Sequence, residues 1–274
     1  MVAQIACLLE ASAPKPGNVT QAAGFPDARF EHYLASAAAI GPAMAEAGER
    51  GVGATIRAAH DAVRRWVSAN TNLGIILLLA PLAKAAAGGR KPLRDSLRQL
   101  LRRLNVDDAV EAYHAIRAAA PGGLDTVAEQ DIRGTPTISL REAMALAADR
   151  DSIASEYVSD FEITFERCAP ALREARCTGL GWPDAVVQAY LRVLADIPDT
   201  LIARKFGRAE AEEVSRAARA AVERGGILTE EGRALVAALD RELRREGHAR
   251  NPGTTADLIA AGLFVVLWEE SGPL

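Results

Sequence analysis

The eleven residues from Leu73 to Ala83 carry no polar side chain. A helix of that composition is apolar on every face, so it is stable only where other elements enclose it. The run is shorter than the roughly 20 residues that span a bilayer. It therefore predicts a buried helix over 71–87 at the centre of a bundle, not a membrane span. Around it, nearly every segment repeats its apolar residues with helical period. Val2, Ile5 and Leu8/Leu9 mark a first helix, and Phe30, Tyr33/Leu34, Ala37 and Ile40 a second, which Pro42 should kink or end. Ile56, Ala59, Val63 and Trp66 mark a third, and Leu93, Leu97, Leu100/Leu101 and Leu104 another. Asn105 reads as an N-cap followed by Asp107 and Asp108, and Ser139 with Glu142 as a capping box. Further helices are predicted over 140–148, 151–167, 183–195, 199–206, 208–223, 230–246 and 255–268, with Gly207 and Gly225-Gly226 at the stops. No β-hairpin signal is present. The expected fold is all-α: one domain over 1–274, with roughly ten to twelve helices around the apolar one.

Charge and cysteine usage exclude several function classes. A net charge of −4 and a pI near 5.7 argue against a nucleic-acid binder, which needs a basic stripe. Cys7, Cys168 and Cys177 show no CxxC spacing, so neither a disulfide framework nor a zinc site is expected. The N-terminus has no basic segment followed by a long apolar one, so no signal peptide is read there, and a cytoplasmic location is expected. No HExxH motif or Ser-His-Asp order is present.

Three turns carry the polar chemistry. Pro14-Lys15-Pro16-Gly17-Asn18 follows the first helix, Asn70-Thr71-Asn72 heads the apolar one, and Asn251 to Asp257 opens the last. Helix N-termini present unpaired N–H groups and partial positive charge, so such turns bind phosphate readily. Lys15, Gly17, Asn18, Asn70, Thr71, Asn72, Asn251, Gly253, Thr254 and Thr255 are accordingly expected to bind a polyanion. Lys15 is read as an exposed turn lysine, Thr254 as an N-cap, and Asp257 as its capping-box partner supporting the turn from behind. His248 lies three residues before Asn251 and is a weaker phosphate candidate. The break at 120–138 carries Asp125, Glu129, Asp131 and Arg133, and a segment of that length inside a compact fold is expected to be functional.

Taken in order, Glu10 with the Pro14–Gly17 turn, Asn70-Thr71 before an apolar helix, Asp199-Thr200 with Arg204-Lys205, and Pro252-Gly253-Thr254-Thr255-Ala256-Asp257 resemble the motifs of the triphosphoribosyl-dephospho-CoA synthase family. Asn72-Leu73 stands where the family has His-Lys, and Gly24-Phe25-Pro26-Asp27 lacks an expected His. The resemblance implies a transferase acting on ATP and a CoA-like acceptor. The ribose 2'-hydroxyl of 3'-dephospho-CoA attacks C1' of ATP, adenine leaves, and the triphosphate stays on the product. Such substitution needs a carboxylate for the hydroxyl proton and cations for the triphosphate. It implies Glu10 as a catalytic candidate and Arg204 and Lys205 as nucleotide contacts. Mg²⁺ is the natural counter-ion of the triphosphate; Asp131 and Asp151, from the densest acidic region around the long break, are further catalytic candidates and, with Asp199, the expected holders of the ion. Nucleic-acid and membrane partners are not expected, and a homo-oligomer is left open. Two other readings stay open: the same nucleotide site with a different acceptor in cofactor biosynthesis linked to one-carbon metabolism, and a non-catalytic helical scaffold that binds nucleotide.

Overall fold

The computed structural model describes residues 1–89, 92–120, 129–245 and 249–270. Asp125 and His248 lie outside the described residues. The fold is all-α. It opens with α1 (Val2–Ser12), α2 (Phe30–Ala39), α3 (Gly41–Ala45) and α4 (Val52–Arg64). The central α5 (Leu73–Ala87) is followed by α6 (Leu93–Leu101), α7 (Val106–Ala119), α8 (Leu140–Ala145) and α9 (Ser152–Val158). A π turn at Thr164–Cys168 runs into α10 (Ala169–Cys177). Then come α11 (Trp182–Asp196), α12 (Thr200–Phe206), α13 (Arg208–Glu223), α14 (Glu230–Leu243) and α15 (Gly253–Glu269).

Local chemistry explains many of the boundaries. Asn105 and Ser139 make reciprocal capping boxes with Asp108 and Glu142, starting α7 and α8. Pro42 lies at the start of α3, just past the end of α2. Two helices, α5 and α15, are apolar nearly all round, and both are buried along most of their length. They pack on each other, and α15 also packs on α1, α10, α11 and the π turn. No helix among the described residues is long and apolar enough to cross a membrane.

Central α5 contains a defect in its own backbone. Leu77 C=O would normally accept the N–H of residue 81, but that residue is Pro81 and has none. The fully buried Tyr157 supplies the missing donor, its hydroxyl lying 2.6 Å from Leu77 O. An α9 residue thus completes the hydrogen bonding of α5, and α9 is anchored against the centre of the fold.

The expected helix over 151–167 is broken. It ends at Val158, and Asp160 and Phe161 both take left-handed backbone (φ 57° and 60°). Period-3.6 patterning cannot reveal this, because neither residue is a glycine. The turn is held by Glu156, which is completely buried. Its carboxylate accepts Ile163 N–H at 2.8 Å and Thr164 N–H at 2.9 Å, and also the Thr164 hydroxyl. Despite these donors, burial pushes its carboxyl up to about 7.

Tyr157→Phe should cost about 1–3 kcal/mol in urea unfolding, because it strands a buried carbonyl. In a Pro81→Ala background, where residue 81 regains its N–H, the same change should cost much less. Glu156 predicts a pH effect. Between its ordinary value of 4.5 and about 7, the native state keeps a proton that the unfolded chain has lost. Its contribution to stability therefore falls as pH rises through that window, by up to about 3 kcal/mol. Glu156→Gln should flatten that part of the stability–pH profile measured by denaturant titration.

Candidate active-site cleft

A cleft of about 890 Å³ opens where α1, α5, α7, α8, α9, α12 and α15 meet. Glu10 and Asn18 reach it from the first turn region, and Asn70, Thr71 and Asn72 from the start of α5. Asp151, Arg204 and Lys205 line it beside Asn251, Gly253 and Thr254. Segments distant in sequence therefore share one concavity.

Several residues expected at the site do not line it. Lys15 is 1% exposed. Its ammonium lies 2.9 Å from the Glu10 carboxylate and also donates to the backbone oxygens of Glu10 and Ala13. The expectation of an exposed, phosphate-binding lysine is corrected: Lys15 neutralises Glu10 from inside the fold. Gly17, at φ +75°, has no room for a Cβ, which would meet Leu243 at 2.8 Å. Its N–H is spent on Asp240 at 2.8 Å, and those of Lys15 and Asn18 on Ala13 and Lys15 oxygens. This turn therefore keeps no N–H free for phosphate. Arg244, paired with Asp240, ties it down further by donating to Asn18 O at 2.8 Å.

The acidic residues sort differently from expectation. Asp131 is engaged locally by Arg133, through its backbone N–H at 2.9 Å and its guanidinium at 2.7 and 2.9 Å, and does not line the cleft. Asp199 is buried behind the cleft. One of its oxygens caps α12 through Leu201 and Ile202 N–H, and the other accepts both the N–H and the hydroxyl of Thr255. Four hydrogen bonds commit Asp199 and Thr255 to joining the starts of α12 and α15, which corrects the assignments of metal ligand and ligand contact. Asp151 does line the cleft. It caps α9 through Ile153 and Ala154 N–H and pairs with Arg204.

The helix start at 252–257 is also corrected. Pro252, not Thr254, is the N-cap, and no side chain caps the helix. Asp257 does not support the turn: its side chain lines the cleft beside α5. A Cβ on Gly74 would lie 2.0 Å from an Asp257 oxygen, so that position of α5 must be glycine for the carboxylate to sit there. Among the described residues, the Asp257 carboxylate accepts no hydrogen bond and forms no salt bridge. Desolvation pushes it well above the usual carboxylate range; Glu10, Asp199 and Asp151 push it further, against a smaller opposing effect of Arg204. Sequence reasoning missed this role because the spacing from Thr254 matches a cap.

At the head of α5, Asn70 accepts Leu73 N–H at 3.3 Å, and Thr71 meets Ser36 hydroxyl to hydroxyl at 2.6 Å. The N–H groups of Gly74 and Ile75, both cleft residues, have no acceptor among the described residues. Asn72 is 6% exposed, and its amide nitrogen has no partner among the described residues. Lys205 reaches Asn251 Oδ1 at 3.5 Å. Around the start of α5 the cleft thus brings together free N–H donors, the cations Arg204 and Lys205, and the carboxylates Glu10, Asp151 and Asp257. Of these carboxylates Glu10 and Asp151 are paired, and Asp257 has no partner among the described residues.

Comparison with known proteins accords with this arrangement. Residues 1–273 match the family model of ATP:dephospho-CoA triphosphoribosyl transferase, and the chain belongs to that family. A probable 2-(5''-triphosphoribosyl)-3'-dephosphocoenzyme-A synthase of Pseudomonas fluorescens is 31% identical over 114 residues, 42% of this chain and 39% of the relative. That match spans well under half of the relative's length. One from Pseudomonas savastanoi pv. phaseolicola is 28% identical over 240 residues, 74% of this chain and 82% of the relative. The crystal structure of a candidate triphosphoribosyl-dephospho-CoA synthase from Archaeoglobus fulgidus is 33% identical, with a TM-score of 0.70 over 88% of this chain and 99% of that one.

The Lys15–Glu10 geometry yields a stability test. Lys15→Ala leaves a buried carboxylate unpaired and should cost roughly 3–5 kcal/mol in denaturant unfolding. A Glu10→Gln/Lys15→Met double variant, which removes both charges, should recover much of that loss.

Proposed function

We propose that this family member moves the triphosphoribosyl group of ATP to the ribose 2'-hydroxyl of 3'-dephospho-CoA, releasing adenine, with residues 1–274 acting as one cytoplasmic catalytic domain. The observation that carries the reading is Asp257, a desolvated and unpaired carboxylate facing a cleft that also offers Arg204, Lys205 and free helix N–H groups. A carboxylate held above its ordinary range is a stronger base than one in water. As the hydroxyl oxygen bonds to C1' and the C1'–N9 bond breaks, the hydroxyl proton passes to Asp257 and from there to the departing adenine. The triphosphate is retained. Arg204, Lys205 and the α5 N-terminus attract its charge, and the partial positive charge of that helix end favours anions.

Magnesium fits this donor set. Among the described residues, no group of three acidic, histidine or cysteine side chains could hold a metal unaided. An ion that arrives on the triphosphate needs only one or two protein carboxylates. Asp151 and Glu10 would hold it, leaving Asp257 for the proton, and the ion supplies charge neutralisation of the phosphates.

Incubation with ATP, Mg²⁺ and 3'-dephospho-CoA should release free adenine, read by chromatography; formation of ADP instead would mark a kinase and overturn the reading. Asp257→Asn should lower kcat by about 10²–10⁴, the range attributed to a positioned base, with intact folding by circular dichroism. Adenine release only with a different nucleoside acceptor would keep the transfer and replace the acceptor.

A further inference from the structure

The cleft is chemically divided along its length. The packing order runs from α7 to α8 to α9, then to α15 and on to α12, with α5 against α7, α9 and α15. Arg204, Lys205 and Asn251 lie at the α12–α15 end, and Asp257 with the start of α5 in the middle. The α7–α8 end is walled by Tyr113, Ile116, Met144, Leu146 and Ala147; among the described residues, the charged ones contributed to the lining from this side are Glu129 and Arg150. Leu146 is 43% exposed, a large apolar side chain left open to a cleft instead of packed.

The Tyr113 and Gln130 side chains on this wall are already engaged. The Tyr113 hydroxyl donates to Gln130 O at 2.7 Å, so Tyr113 offers its ring and not a donor. The Gln130 carboxamide is spent on Thr137, donating to the hydroxyl and accepting the N–H, both at 3.0 Å. A wall of this kind has little with which to read the hydrogen-bonding edge of a purine. An amide without a partner among the described residues, that of Asn72, lies instead at the head of α5. The ligand that fits the lobe is therefore flexible, uncharged and largely aliphatic. ATP has no such part. The acceptor in the proposed reaction has one, the pantetheine arm beyond its pyrophosphate.

We propose that the α7–α8 lobe, walled by Tyr113, Ile116, Met144, Leu146 and Ala147, is the subsite for the uncharged pantetheine arm of the acceptor. The inference rests on the proposed function for the identity of the acceptor and adds where its arm lies. Triphosphate and arm then occupy different walls of one cleft, the arm against α7 and α8 and the triphosphate against Arg204 and Lys205. The lobe also gives the cleft a means to tell acceptor from donor, since both carry adenosine and phosphates and the acceptor alone carries the arm.

The test is equilibrium binding by calorimetry, which needs no turnover. The probes are 3'-dephospho-CoA and ADP, which keeps the adenosine diphosphate and lacks the arm. The wild-type protein should bind dephospho-CoA at least tenfold more tightly than ADP. Leu146→Asp, at an exposed position, should bring the two within about twofold by weakening dephospho-CoA alone, with ATP affinity unchanged as the folding control. Leu146→Met should restore the preference. Unchanged dephospho-CoA affinity in Leu146→Asp would overturn the subsite, as would equal weakening of ATP and dephospho-CoA, which would place a nucleobase in the lobe. Adenine release with Leu146-insensitive binding keeps the reaction and removes the subsite. Leu146-sensitive binding without adenine release keeps the subsite and removes the reaction.

Discussion

A carbonyl in the middle of α5 cannot be bonded by its own helix, and much of the cleft's geometry follows from how that deficit is met. Pro81 removes the donor, and Tyr157 replaces it from α9. An unmet carbonyl at this depth would be costly, so α9 is held in one position against α5. The first residue of α9 follows Asp151, whose carboxylate caps that helix and pairs with Arg204 of α12. A chain of contacts thus runs from a backbone defect in the core to a cation on the cleft wall. The break after Val158, held by Glu156, lets the chain leave α9 there and turn toward α10 and α15.

The helical frame was legible in the sequence, and the contacts that brace it were not. The apolar α5 was readable because a run without polar side chains allows few placements, and the capping boxes at Asn105 and Ser139 because their signals are local. The sequence reading joined the turn at 14–18, the start of α5, the acidic stretch around 131–151 and the start of α15; Asp151 and the two helix starts line one cleft, whereas Lys15, Gly17 and Asp131 do not. Burial of polar residues was not readable. A lysine between two prolines looks solvated, yet Lys15 folds back from the turn after α1 to meet the buried Glu10 in the last turn of that helix. Asp257 was misread for a related reason: the spacing that makes a capping box also sends a side chain off the first turn into a neighbouring cavity, and only the neighbour decides. Here the neighbour is Gly74, whose missing Cβ opens the space.

Charge in the cleft is arranged by pairing and omission. Glu10 is answered by Lys15 and Asp151 by Arg204, each across secondary-structure boundaries. Asp199 is answered by N–H and hydroxyl donors alone. Asp257, facing all three at a distance, receives no answer from the described residues, and repulsion from its neighbours adds to its desolvation. A site that leaves one carboxylate uncompensated gains most when a proton or a cation arrives with the substrate.

The Pro14–Gly17 turn has a consequence for how related chains are recognised. Its lysine is an interior counter-ion and its amides are tied to Asp240 and to the turn itself, so it reports on whether the polypeptide can assemble. A chain could keep that turn intact and be inert. The pair of Gly74 and Asp257 is a different kind of marker: a missing methyl on one helix and a bare acid on another, of no use to the core unless something is to be bound between them. If Asp257 takes the proton as proposed, that pair and not the more conspicuous turn is the feature of this chain tied to its chemistry.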